Sequence, residues 1–267
     1  MRPRAFTLVE LLVVIAILAL LMAFLFPVLG RSRRQAQTVA CRANLHHLLL
    51  SLHNYESEHQ SFPYGFDGSR KDIPPGGHAG TARFDTPGWW WFHLAGVIRD
   101  RSAQGAKVLH CPASRLGDPA LERSILCGKY GVNRSLCRTA AGSRLLKNAL
   151  LVGKPLSTSD LLRPAATLLV LDSGYSLIYW WQAAADPPVN LGDTYVEDTS
   201  YVPGLEINRS RNLWPGQSMD AVGGRHPNKT VNVGFADGHA ELKPAADLLV
   251  EKTKDESYTN MVLWQGR

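Results

Sequence analysis

Two hydrophobic patterns organise the chain. Between Leu11 and Phe26 no residue is charged or polar, and Pro27, Val28, Leu29 and Gly30 prolong the neutral stretch. Counted from Phe6, its one charge is Glu10. At about 1.5 Å per residue, this run is long enough to cross a hydrocarbon layer about 30 Å thick. A second pattern begins at Cys41. Cys41, Leu45, Leu48, Leu52 and Tyr55 recur at helical spacing, while Arg42, Asn44, His46, Ser51 and Asn54 occupy the other faces. Pro63 and the glycines after it end the pattern. The two segments predict one helix from Phe6 to about Ser57, roughly 75 Å long. Its first half belongs in lipid and its second half on a globular domain, with Pro27 as a candidate kink.

The remaining segments predict short strands. Val231, Val233 and Phe235 alternate with Asn232, Gly234 and Ala236, the pattern of a half-buried strand. Asp237-Gly238 is the signal of a two-residue hairpin turn, and His239–Leu242 returns as the partner strand. Thr167–Asp172 reads as a buried strand and Ala106–Cys111 as a weaker candidate. Pro63–Gly80 and Asp186–Gly204 read as exposed loops. The predicted class is α+β: a long N-terminal helix packed on an antiparallel-sheet domain.

The run at the N-terminus could instead be a secretory signal, with Arg2 and Arg4 before the apolar core. No small-residue cleavage site follows it, however; Arg31, Ser32, Arg33 and Arg34 do. A retained anchor fits better. Arginines flank both of its ends, so charge counting alone leaves its orientation open. Glu10 costs about 2.5–3.5 kcal/mol near a membrane core, so it needs a partner or a route to the headgroups.

Composition narrows the function classes. The chain has 267 residues, 45% of them hydrophobic and 19% charged, with a formal net charge of +6. That excludes a disulfide-only miniprotein, a collagen and a disordered chain. The basic run Arg31, Arg33 and Arg34 suits lipid headgroups, and no nucleic-acid partner is expected. There is no GxSxG, no P-loop and no GxGxxG leading into a helix, so neither an enzyme nor a cofactor is expected. His46, His47, His53 and His59 read as solvated helix-face residues. A metal site at His226, Asp237 and His239 is the rival to the hairpin, without a dense ligand motif behind it. Asp186, Asp193, Glu197 and Asp198 form an acidic cluster without EF-hand spacing. Cys111, Cys127 and Cys137 lie close enough in sequence for one disulfide, its pairing open. Trp89-Trp90-Trp91 and Tyr179-Trp180-Trp181 suit either packing or a polymer-binding surface.

Ala5-Phe6-Thr7-Leu8-Val9-Glu10, followed by the apolar run, resembles the processing signal of type IV pilins and type II secretion pseudopilins. The resemblance implies cleavage between Ala5 and Phe6 by a prepilin peptidase, which then methylates Phe6. Glu10 becomes the fifth residue of the mature chain and Pro27 the twenty-second. Ala5 stands where the family usually has Gly, which implies slower cleavage. The segment Cys41–Tyr55, with Ser61-Phe62-Pro63, and the C-terminal run from Arg225 through Asp237-Gly238-His239 are similar to a branch of pseudopilin-like proteins. These carry an H-x9-D-G motif; here ten residues separate His226 from Asp237. Scattered matches lie between, at Cys111-Pro112, Tyr130–Asn133 and Pro164–Thr167 leading to Asp172.

The resemblance implies residues 1–5 as leader, 6–29 as membrane span, 30–60 as amphipathic helix and 61–267 as a periplasmic domain. The N-terminus is then cytoplasmic and the helix single-pass in the inner membrane. The implied partners are the prepilin peptidase and methyltransferase, other pseudopilin subunits, secretion machinery and the bilayer. Glu10 would pair with the Phe6 amino group of a neighbouring subunit and set filament register. The alternatives are a non-assembling anchored polysaccharide-binding protein using the aromatic clusters and, more remotely, an anchored metal-dependent enzyme around His226 and His239.

Overall fold

The computed structural model describes residues 8–68, 88–94, 105–123, 126, 129–140, 151–188 and 200–266. Helix α1 runs unbroken over Leu8–His59, 52 residues, and carries Pro27 inside it. Its length is about 78 Å. Gln60, at φ 60°, ends it, returning its N–H to the Glu56 carbonyl at 2.7 Å. The predicted stripe is the docking face: Cys41, Leu45, Leu48 and Leu52 are buried, and Tyr55 packs half-buried at its end. Leu8–Leu29, by contrast, is exposed on every side.

The domain is built on a five-stranded sheet in the order β3-β1-β2-β4-β5. The strands are β1 Tyr130–Asn133, β2 Leu168–Asp172, β3 Leu177–Ile178, β4 Thr230–Phe235 and β5 Ala240–Pro244. Three pairings are antiparallel, but β3 runs parallel to β1, so the sheet is mixed rather than antiparallel. The chain leaves β2 at Asp172, opposite Tyr130, and Ser173–Ser176 carries it around the start of β1. It then returns on the far side of β1, anchored by the Val132 N–H on the Ser176 carbonyl at 3.0 Å.

Helix α1 covers one face of this sheet, in a core with Tyr130, Val132, Leu169, Val170 and Ala236. The other face packs Leu168, Leu171, Val231, Val233 and Phe235 against Trp264, Leu248 and the Trp180-Trp181 pair. β4 is therefore buried on both sides, not half-solvated. Asn232 and Gly234, which read as a solvent face, look toward the helix: a Cβ on Gly234 would sit 2.8 Å from Leu49 Cδ1. Small and polar residues here make room for a helix.

Of the two readings of the aromatic clusters, packing holds: Trp89, Trp90 and Trp91 have no exposed surface, and Trp180 and Trp181 are buried as well, so neither cluster offers rings to a polymer. Two other expectations change. Gly105–Val108 is a helical turn where a strand was expected. Both loop regions enter the interior, through Pro63, Gly65 and Phe66 in the first and Ser200–Gly204 in the second. Asp186 is exposed; Asp193, Glu197 and Asp198 lie outside the described residues.

The β4–β5 hairpin is present with a different turn. Phe235 donates to the His239 carbonyl at 2.9 Å and Gly238 to the Phe235 carbonyl at 3.0 Å, enclosing Ala236, Asp237 and Gly238. This is a three-residue loop, in which only the last position is left-handed. Gly238 has φ 95°. The Asp237 side chain accepts the His239 N–H at 3.1 Å. Gly238→Val is expected to cost about 1–2 kcal/mol in thermal melts, the penalty of a side chain at positive φ. Asp237→Asn keeps the acceptor and should melt like the parent. The reverse ranking would show that the turn is not what these residues serve.

Candidate functional site

The foot of α1 meets the sheet at a buried polar junction. Its centre is His226, which sits between the chain leaving Arg225 and the Pro227–Lys229 turn that opens β4. That turn holds Asn228 and Lys229 at φ 57° and 53°, consecutive left-handed residues without a glycine. They carry the chain from His226 into β4.

Asp172, the last residue of β2, accepts from His226 Nε2 at 2.9 Å and from the Asn232 N–H at 2.8 Å. The Asn232 side chain donates to the same carboxylate at 3.2 Å. On the other edge of the imidazole, Nδ1 lies 3.1 Å from Thr38 Oγ1 of α1. Thr38 gives its own hydrogen to the Arg34 carbonyl at 3.0 Å, so its oxygen is left to accept from Nδ1–H. A carboxylate on one nitrogen and an acceptor on the other both favour a protonated ring, while the Asn232 amide nitrogen lies 2.8 Å from Nε2 as well. Burial alone pushes the His226 pKa down. The hydrogen bond and charge of Asp172, with Cys111 beside it, outweigh burial and hold it at about 9. Burial pushes Asp172 up, and the His226 hydrogen bond and charge, with Arg225, bring it below its ordinary value.

Arg225 completes the junction. It makes a two-pronged contact with Asp220, through Nε at 3.0 Å and Nη2 at 2.8 Å. It also donates to the Lys129 and Ser173 carbonyls, both at 2.7 Å. Its Nη1 lies 3.8 Å from Asp172. Tyr201 donates to Asp220 at 2.9 Å. The helix is held at further points by the Tyr130 hydroxyl on the Cys41 carbonyl at 3.1 Å and by Gln37 on the Pro112 carbonyl at 3.0 Å.

Cys111 lies against this assembly, its sulfur 2.7 Å from that of Cys41. Burial raises its pKa well above the ordinary thiol value, with Cys41 and Asp172 adding to the effect and His226 opposing it. Cys111, His226 and Asp172 have the connectivity of a nucleophile, a base and an orienting carboxylate. Cys111 and Asp172 have no exposed surface and His226 is 2% exposed, so the three groups are enclosed away from solvent. Cys111 and Cys137 are both buried and are not bridged to each other in the structure; Cys127 lies outside the described residues.

The rival metal trio does not converge. His226 is enclosed at the start of β4, whereas Asp237 and His239 sit partly exposed at the hairpin tip, one strand length or about 20 Å away. Among the described residues the cluster with ligand atoms within 4.8 Å is Cys41, Cys111 and His226. His46, His47 and His59 are exposed, and His53 bonds Glu56 at 3.1 Å. Sequence reasoning missed Thr38, Asp220, Arg225 and Asn232 as members of the junction. Asn232, a polar residue inside an apolar strand, was the available signal.

At the other end of α1, Glu10 is exposed in the first turn of the helix; Ala5 and Phe6 lie outside the described residues. Residues 1–26 match the model of the prokaryotic N-terminal methylation motif. Residues 31–98 match the model of a protein family of unknown function, DUF1559. No curated protein and no solved structure matches the chain. Through these matches the chain is similar to prepilin-type, pseudopilin-like proteins, and among the described residues it has one helix long and apolar enough to cross a membrane.

Proposed function

We propose that this chain is a pseudopilin-like structural subunit, stored in the inner membrane and assembled into a type II secretion or type IV pilus-like filament. Prepilin peptidase would cut between Ala5 and Phe6 and methylate Phe6, leaving the N-terminus cytoplasmic and the domain after residue 60 periplasmic. One observation carries the reading. Apart from Glu10, Leu8–Leu29 is apolar and exposed all round, and it is continuous with the half of α1 that is docked on the domain. A helix apolar on every face is covered either by lipid or by other helices. Assembly exchanges the first cover for the second without changing the fold. The buried junction fits this role, because it holds the domain rigidly to the element that the filament packs. The polysaccharide-binding alternative loses its support, since the aromatic rings are enclosed.

In this reading Glu10 meets the Phe6 amino group of a neighbouring subunit and fixes the axial step. Glu10→Ala should leave membrane insertion unchanged and reduce crosslinked oligomers at least several-fold. Undiminished crosslinking with Glu10→Ala would remove the register role.

A further inference from the structure

We propose that Cys41 and Cys111 form a disulfide in the mature protein, a covalent tie between the anchoring helix and the sheet domain. The two sulfurs are 2.7 Å apart and both residues are fully enclosed. The separation decides between the two uses of such a pair. Thiolates on a zinc ion sit about 2.3 Å from the metal, which places two sulfurs of a tetrahedron about 3.8 Å apart. A disulfide brings them to about 2.05 Å. The observed contact leaves no room for an ion between the sulfurs. His226, the third ligand-type group nearby, has both ring nitrogens engaged, with Asp172 and with Thr38. Both nitrogens already face protein groups rather than an open coordination position.

The geometry also sets when the bond forms. A thiol inside the folded domain is shielded from any partner, so oxidation precedes the docking of α1. One cysteine thiolate attacks the disulfide of an exported thiol–disulfide oxidoreductase, forming a mixed disulfide and releasing one donor thiol. The second cysteine thiolate attacks the mixed disulfide, closing the Cys41–Cys111 bond and releasing the other donor thiol. Both electrons pass to the donor, which ends as a dithiol. Docking then buries the bond beside His226. The tie closes a loop between residues 70 positions apart and lies next to the Thr38–His226 contact, so the ionic and covalent anchors share one place on α1.

The proposal rests on export of the domain, because oxidation needs an oxidising compartment. The test is to express the full chain with alkaline phosphatase fused after Arg267, which reports export independently. Free thiols are trapped by alkylation in denaturant and the peptides mapped by mass spectrometry. The expected result is a Cys41–Cys111 linked peptide with Cys137 alkylated. In detergent, reductant should lower the Tm by about 10 °C. This shift should persist in Cys137→Ala and vanish in a Cys41→Ala/Cys111→Ala double variant. Active phosphatase with Cys41 and Cys111 both alkylated would overturn the disulfide alone. Inactive phosphatase with free thiols would overturn both the disulfide and the export reading. Cys111 linked to Cys127 or Cys137, or one zinc ion per chain with a chelator-sensitive Tm, would also overturn the proposal.

Discussion

Asp172→Ala should destabilise the domain by about 3–5 kcal/mol, the cost of stripping one partner from a buried charge pair. Asp172 faces the His226 imidazolium at 2.9 Å, with the Arg225 guanidinium at 3.8 Å. Arg225 keeps Asp220, so the uncompensated charge falls on His226. For a domain of about 200 residues this is a Tm loss of roughly 10 °C. The pH dependence carries the same signature. A group whose folded pKa is raised contributes fully below its unfolded value and loses that contribution as pH rises through the folded one. For His226 the loss runs from 6.5 to about 9. Asp172 works in the opposite sense, contributing above its unfolded value of 3.8 and losing the contribution as pH falls below it. Stability should therefore decline on the alkaline side across that window, and decline again in acid. Asp172→Asn keeps an acceptor for the Asn232 N–H but not the charge, so it should flatten the alkaline decline. An Asn variant with an unchanged pH profile would show that the pair does not hold His226 charged.

Gly234→Val should cost about 3 kcal/mol, the upper range of overpacking penalties in a well-packed core. The first added carbon alone meets Leu49 at 2.8 Å from Cδ1, 2.9 Å from Cδ2 and 3.0 Å from Cγ. Leu49 is 1% exposed on α1, so it has no open side to turn toward. Relief must come from the helix moving off the sheet. Leu49→Ala opens the space, so the double variant should lose clearly less than the two single losses added together. Additive losses would place the strain elsewhere than at the helix–sheet contact.

These two sites mark where the sequence was legible and where it was not. Helix α1 was readable because both halves have strong patterns: unbroken apolarity to Phe26, then a stripe of period 3.6 from Cys41. β2 and β4 were readable as strands. What covers them was not. Asn232, Gly234 and Ala236 alternate with large apolar residues, which looks the same whether the intervening face meets water or a helix that needs room. β3 has two residues, too few for any period, and its parallel pairing comes from the path of Ser173–Ser176. The fate of the tryptophans was equally hidden, since composition does not say which way a ring faces. His226 and Asp172 stood out within the resemblance. Their junction with Thr38, 188 residues before His226, is set by docking alone. The same holds for Cys41 against Cys111.

The central claim is that the apolar half of α1 is a processed pilin-type segment rather than an export signal or a plain anchor. Mass spectrometry of the mature N-terminus, in a cell carrying the cognate prepilin peptidase, tests it most directly. The account predicts a chain beginning at N-methylated Phe6. An intact Met1, or a chain beginning after Gly30, would contradict it.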